Sequence, residues 1–326
     1  MNAPASEFEL IDRHFRRAPR HADVRVGIGD DAAVIAPTPG MELAVSVDML
    51  VEGRHFFAGT DAEALGHKTL AVNLSDLAAM GAAPRYALLA GALPDADEAW
   101  LARFMQGFRT LAERHDVELI GGDTTRGPRN LCVTVIGEVP PGAAITRAGA
   151  HPGDDVYVSG ALGAAALAVR ALGGDVRLAH DVLARVRERL ERPEPRVALG
   201  LALRGVATAA LDVSDGLVGD LGHILERSGC AAVVELARLP ADPAVAERLH
   251  GADRDVALAC LLAGGDDYEL CFTAPRAARE RIDVLARELA VPATLVGTLE
   301  RGHGLTVLDE HGRPLAPLPA SFDHFG

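Results

Sequence analysis

The chain has 326 residues, room for two ordinary domains, and its 49% hydrophobic and 24% charged content excludes disorder as the state of its bulk. Lys and Arg number 32 against 46 Asp and Glu, and the resulting net charge of −14 disfavours nucleic acid and anionic membranes as partners. An anionic substrate would need local compensation on such a surface, and bound metal ions are the obvious means.

In chain order, Glu7 to Arg17 predicts a short helix with Phe8, Ile11 and Phe15 on one face. Strand patterns follow at Val24–Val26, Ala33–Ile35 and Leu43–Asp48. Ala62 to Met80 predicts a helix whose apolar positions are Leu65, Leu70, Leu74 and Leu77. Thr69, Asn73 and Asp76 fall on one polar stripe of it. Tyr86–Leu93 reads as a strand and Ala96 to His115 as a helix, with Trp100, Phe104, Phe108 and Leu111 as core. Val117–Ile120 and Leu131–Val139 read as strands. Pro140 to Asp155 lacks periodicity and reads as a domain junction. The expected domains are 1–140 and 150–326, with 141–149 between them. Beyond the junction, Val156–Ser159 predicts a strand and Leu162 to Leu172 a helix. Helices are expected at Ala179–Glu191, Arg196–Arg204 and Gly216–Arg227, and a strand at Ala209–Val213. Alternating elements continue to Leu308. Helices and strands mix without strict alternation, so the fold class is α+β.

Cys132, Cys230, Cys260 and Cys271 are not spaced as a metal or disulfide framework and read as buried small hydrophobes of a reducing compartment. No stretch resembles a signal peptide or a membrane span, so the cytoplasm is the expected location.

The chemistry lies in aspartates that sit beside Gly or Ser, at the ends of the expected strands. They are Asp30-Asp31, Asp48 after Ser46, Asp76 after Ser75, Asp123 after Gly121-Gly122, Asp212 and Asp215 around Ser214, and Asp266-Asp267. Strand alternation puts Ser46 with Asp48, and Asp212 with Ser214, on common faces. Two unit charges ~4 Å apart repel by roughly 4 kcal/mol at an effective dielectric of ~20, so converging carboxylates call for cations. Carboxylate and hydroxyl oxygens suit Mg²⁺, which shares its shell with phosphates. The plainer readings are turn chemistry for the Asp-Gly pairs and a helix cap for Asp215; a mid-helix Asp76 fits neither. Gly27-Ile28-Gly29-Asp30-Asp31-Ala32 formally matches a dinucleotide fingerprint. It is rejected, because a strand rather than a helix follows and two carboxylates would repel the pyrophosphate. GxxxxGK[ST], HExxH and GxSxG are absent. Gly121-Gly122 could approach a phosphate closely, and Arg147 is a candidate phosphate clamp or a solvated linker residue.

The segments GIGDDAAV, SVDMLVEGRHF, KTLAVNLSDLAAMGA, LIGGDTTRGP, TRAGAHPGD, LDVSDGLVGDLGHI, GGDDYELCFT and SFDHF together resemble the bacterial thiamine-monophosphate kinases, in the right order from Phe8 to Phe325. LDVSDGL and NLSDLAAMG are shared more widely in the aminoimidazole-ribonucleotide synthetase superfamily. The resemblance implies a two-domain fold of that superfamily and a homodimer built through the N-terminal domains. It implies ATP-dependent phosphorylation of thiamine monophosphate to thiamine diphosphate with several Mg²⁺ ions. By motif position it implies Asp31, Ser46, Asp48, Asp76, Asp123, Asp212 and Asp215 as magnesium ligands. Gly122, Asp123, Arg147 and Ser214 would contact ATP, and His55, Asp266 and Phe322 the thiamine phosphate. The family usually has Glu at position 266 and often Trp at 322. Selenophosphate synthetase-like relatives carry a reactive Cys near the N-terminus, whereas the first cysteine here is Cys132.

Overall fold

The computed structural model describes residues 7–17 and 19–321. Two compact units divide the chain, one comprising residues 1–77 and 82–142 and the other 78–81 and 143–326. Both mix helices and sheet, the α+β class read from the sequence.

The first unit opens with one α-helical turn, α1 (Glu7–Leu10), which widens into a π turn at Ile11–Phe15 where a single α-helix is predicted. β1 (Val24–Val26) and β2 (Val34–Ile35) pair antiparallel. Four longer strands make the main sheet: β3 (Glu42–Val51), β4 (Ala83–Leu93), β5 (Glu118–Arg126) and β6 (Asn130–Val139), in the order β3-β6-β4-β5. β3 and β6 run antiparallel from Glu42 opposite Val139 to Val51 opposite Asn130. β4 and β5 are parallel, which requires the crossover that α3 (Glu98–Arg114) supplies. Asp97 starts α3 by accepting from the Ala99 and Trp100 N–H groups.

Alternation along β3 is clean. Ala44, Ser46 and Asp48 are half-buried, while Leu43, Val45, Val47 and Met49 are 44%, 62%, 58% and 52% exposed. Half of this edge strand is therefore an apolar stripe on the outer face.

The helix α2 (Ala62–Ala79) lies on the inner face of β3. From Lys68 to Ala79 every residue except Asp76 is buried, so the expected polar stripe is not a solvent face. Thr69 turns its hydroxyl back to the Leu65 carbonyl at 2.7 Å, and Asn73 donates to the Thr69 carbonyl at 3.0 Å. Two glycines let α2 and α3 touch backbone to backbone. A Cβ on Gly66 would stand 1.9 Å from the Phe104 carbonyl oxygen, and one on Gly107 would stand 1.8 Å from that of Glu63.

The second unit holds β7 (Asp155–Ser159), β8 (Ala209–Val213), β9 (Cys230–Glu235), β10 (Glu269–Ala274), β11 (Ala293–Arg301) and β12 (Gly304–Leu308). Their order is β12-β9-β11-β7-β10-β8, with only β12 and β9 parallel. Every residue of β7, β8 and β10 is buried, the signature of strands covered on both faces. Leu167 of α4 (Ala164–Leu172), Leu221 and Ile224 of α7 (Leu217–Ser228) and Leu261 of α9 (Arg254–Ala263) join strand residues Val158 and Leu211 in one core. α5 (His180–Glu191), α6 (Val197–Ala202), α8 (Pro243–Ala246) and α10 (Arg279–Glu288) complete the unit. Cys230, Cys260 and Cys271 are buried as expected, but Cys132 on β6 is only half-buried. Among the described residues no helix is long and apolar enough to cross a membrane.

Because each glycine of the α2–α3 contact meets backbone rather than a movable side chain, Gly107→Ala must push the helices apart. It is expected to cost about 1–3 kcal/mol, read as a lowered urea midpoint at unchanged slope.

Candidate active site

In the first unit, the Ser46 hydroxyl donates to the Asp76 carboxylate at 2.5 Å, so β3 and α2 bring two of the expected oxygen ligands together. The neighbouring Asp48 has its backbone N–H held by the Asn73 side-chain oxygen at 3.0 Å. Asn73 thus joins Asp76 in fixing β3 against α2 beside Ser46 and Asp48. Both of these lie in mid-strand rather than at a strand end, because β3 continues pairing to Val51. Asp31 is exposed in the turn after Gly29-Asp30, where its N–H donates to the Asp30 carboxylate at 3.0 Å. This segment opens no helix, and β2 follows it, consistent with rejecting the dinucleotide fingerprint. His55 sits in the turn beyond β3, where its Nδ1 accepts from the Val51 N–H at 3.0 Å. That bond places the ring proton of a neutral imidazole on Nε2.

Gly122 and Asp123 are exposed on β5, which runs on to Arg126 instead of ending at Ile120. Gly122 has a structural duty: at φ +152° a Cβ would lie 1.9 Å from the Leu89 carbonyl oxygen of β4. Asp123 and Thr124 share a small pocket with Leu89, Trp100, Phe104 and Leu131. Trp100, expected in the core, is half-buried here. Its ring stacks on Phe104 at 5.2 Å between centroids, and the Arg129 guanidinium lies 4.5 Å above it. Phe104 and Phe108 are core residues as expected.

In the second unit, Asp212 is buried near the end of β8, and Ser214 and Asp215 are half-buried in the turn before α7. Asp215 does not cap that helix. The N-cap is Gly216, and the N–H groups of Ser214, Asp215 and Gly216 all point at one oxygen of Asp220, at 3.1, 3.1 and 3.0 Å. Burial pushes the Asp220 carboxyl up to about 7, against those three donors and with the help of the Asp215 charge. The adjoining turn, Gly264 to Tyr268, is zipped to this one. The Asp266 N–H donates to the Ser214 carbonyl and the Tyr268 N–H to the Val213 carbonyl, both at 2.9 Å. Asp266 and Tyr268 are left-handed, with φ of +68° and +51°, and the Tyr268 hydroxyl donates to the Asp266 carboxylate at 3.1 Å. The short carboxylate at 266 suits this backbone, since Asp enters the left-handed region more readily than most residues.

Behind this turn lies Glu269, fully enclosed. It accepts from Arg196 at 2.7 and 2.5 Å, from Arg189 at 2.9 Å and from the Ser159 hydroxyl at 2.6 Å. Gly160 makes room for it, because a Cβ there would meet the Glu269 carboxylate at 2.0 Å. Asp267 accepts the Gly163 N–H at 2.7 Å, and burial holds its carboxyl well above the usual range. Arg147 is exposed in a turn whose carbonyl takes the Ser228 hydroxyl at 3.1 Å. Phe322 and Phe325 lie outside the described residues.

Among the described residues, no three His, Cys, Asp or Glu side chains are gathered closely enough to hold a metal by themselves. Sequence reasoning missed Asn73 as the clamp on β3, and it missed Asp220 and Glu269. Asp220 carried a signal, being an acid in the first turn of the helix that follows Ser-Asp-Gly. Glu269 carried none, as its arginines are 73 and 80 residues away.

Residues 29–139 match the N-terminal domain of the AIR synthase related proteins and residues 151–310 the C-terminal domain. The chain is 45% identical to the thiamine-monophosphate kinase of Escherichia coli K12, over 98% of each chain. The solved structure of thiamine-monophosphate kinase from Stenotrophomonas maltophilia is similar, with a TM-score of 0.86 and 49% identity over 93% of this chain and 96% of that one. A second solved structure, AaThiL complexed with AMPPCP and TMP, has a TM-score of 0.77 and 28% identity over 89% of each chain.

Arg196→Met leaves the enclosed Glu269 with half its compensation. A loss of about 3 kcal/mol is expected, measured by urea denaturation, while Arg196→Lys should restore part of it.

Proposed function

This chain belongs to the thiamine-monophosphate kinases of the AIR synthase related family, and we propose that its carboxylate and hydroxyl side chains would hold magnesium for phosphoryl transfer from ATP. The reaction is ATP-dependent conversion of thiamine monophosphate to thiamine diphosphate. Near-complete coverage of the relatives carries this reading, since both domains and the motifs of each are present.

The candidate ligands are Asp31, Ser46, Asp48, Asp76 and Asp123 in the first unit and Asp212 and Asp215 in the second. Their chemistry fits magnesium, for all are carboxylate or hydroxyl oxygens, and Ser46 and Asp76 already meet at 2.5 Å. When bound, the metal supplies neutralisation of charge on the phosphate oxygens. The protein's own part is positioning. Asn73 holds the β3 backbone at Asp48, and Asp220 holds the turn of Ser214 and Asp215. Gly122, Asp123, Arg147 and Ser214 are assigned to ATP. His55, Asp266 and Phe322 are assigned to thiamine monophosphate. Its phosphate has a second pKa of ~6 and is an anionic nucleophile at neutral pH, so direct in-line transfer needs no general base.

We assign self-association and five of the seven candidate metal ligands to the N-terminal ATP- and metal-binding domain, 1–140, and the α/β remainder to 150–326. The exposed stripe of Leu43, Val45, Val47 and Met49 supports a homodimer formed through β3. The cytoplasm is the proposed location, in keeping with four free thiols.

Purified protein with ATP, Mg²⁺ and thiamine monophosphate is expected to yield thiamine diphosphate and ADP in equal amounts by chromatography, and none with chelator present. Asp48→Asn and Asp123→Asn should each remove most turnover with circular dichroism unchanged. Normal turnover in both variants would sink the metal assignment.

A further inference from the structure

Asp220 belongs to no assigned ligand set, yet its surroundings are built around it. It is 5% exposed, one turn inside α7, and its side chain curls back past the start of the helix. There a single oxygen takes the N–H groups of three consecutive residues, Ser214, Asp215 and Gly216. These donors precede the helix, and their acceptor within it is this side chain rather than a main-chain carbonyl. The turn cannot relax elsewhere. Gly216 is at φ +112°, where a Cβ would stand 2.5 Å from the Ala263 carbonyl carbon, and the Ser214 carbonyl is occupied by the Asp266 N–H. One carboxylate therefore fixes the direction in which the Ser214 hydroxyl and the Asp215 carboxylate leave the chain.

We propose that Asp220 is a positioning residue for magnesium–ATP: it sets the affinity for the metal–nucleotide pair by orienting Ser214 and Asp215 without touching either ligand. This rests on the assignment of Ser214 to ATP and Asp215 to magnesium. Thiamine monophosphate binding is expected to change little, because the Asp266 turn, though bonded to the Ser214 carbonyl, is also held by the Tyr268 N–H on Val213 and, through Glu269, by Arg189 and Arg196.

The test is calorimetric titration of the non-hydrolysable analogue AMPPCP with Mg²⁺, and separately of thiamine monophosphate, into full-length variants. Asp220→Ala should weaken Mg–AMPPCP binding by about 10- to 100-fold, the usual effect of losing a residue that orients a metal ligand. Binding of thiamine monophosphate should hold near wild type, and turnover should fall. Asp220→Asn keeps an acceptor oxygen in place and should recover most of the lost affinity. If Asp220→Ala does not fold, Asp220→Glu serves: it keeps the charge but displaces the oxygen by one methylene, and it should weaken Mg–AMPPCP selectively. Folded Ala or Glu variants that bind Mg–AMPPCP like wild type, or that lose both ligands equally, overturn the proposal. Ser214→Ala and Asp215→Asn run alongside. Wild-type binding in those two would remove the underlying assignment, whereas weakened binding there with intact binding in the Asp220 variants would reject the positioning role alone.

Discussion

Three backbone N–H groups converging on one oxygen of Asp220 set the geometry from which much of the second unit's candidate site is built. A buried carboxylate is costly in apolar surroundings, and what makes this one tolerable is also what makes it useful: its hydrogen bonds go to the main chain. A side chain held by another side chain can swing with it. A turn whose N–H groups are held has no such freedom, and β8, α7 and the Gly264–Tyr268 turn are tied together through it.

The deeper carboxylates are satisfied differently. Glu269 takes two arginines and a serine hydroxyl, and Asp155, also fully buried, takes both nitrogens of the Arg279 fork at 2.6 and 2.8 Å. Such arrangements contribute little net stability, but each fixes a register, here the first residues of β10 and β7. Between β3 and α2 of the first unit a neutral group shares this task with the Asp76 carboxylate. Asn73 spends its amide on its own helix and its carbonyl on β3, and so it aligns two elements without introducing a charge beside Ser46 and Asp48.

Much of this was legible in the sequence because it is local. Strand β8 and helix α2 follow from hydrophobic pattern, and Ser46 and Asp48 share a face because strands alternate. What was not legible depends on distant partners. The stripe of Thr69, Asn73 and Asp76 reads as one polar face, yet only Asp76 escapes burial once β3 covers the helix. Asp123 looked like a strand end because Gly121-Gly122 looks like a turn. Pairing with β4 carries the strand through both glycines, and Gly122 is required by the Leu89 carbonyl rather than by a bend. Trp100 followed the apolar period of α3 correctly but lies where the helix leaves the core, under Arg129. The left-handed backbone at Tyr268 has no sequence signature, and that at Asp266 only the weak one of an Asp.

The outer face of β3 has a thermodynamic consequence of its own. Leu43, Val45, Val47 and Met49 form a contact surface only when the strand is paired in register with β6, so whatever covers them recognises the folded sheet and ignores the unfolded chain. By mass action such a cover makes stability a property of the solution as well as of the chain. For the homodimer proposed through β3, dilution would then act as a mild denaturant of the first unit, and melting temperatures would be comparable only at matched protein concentration.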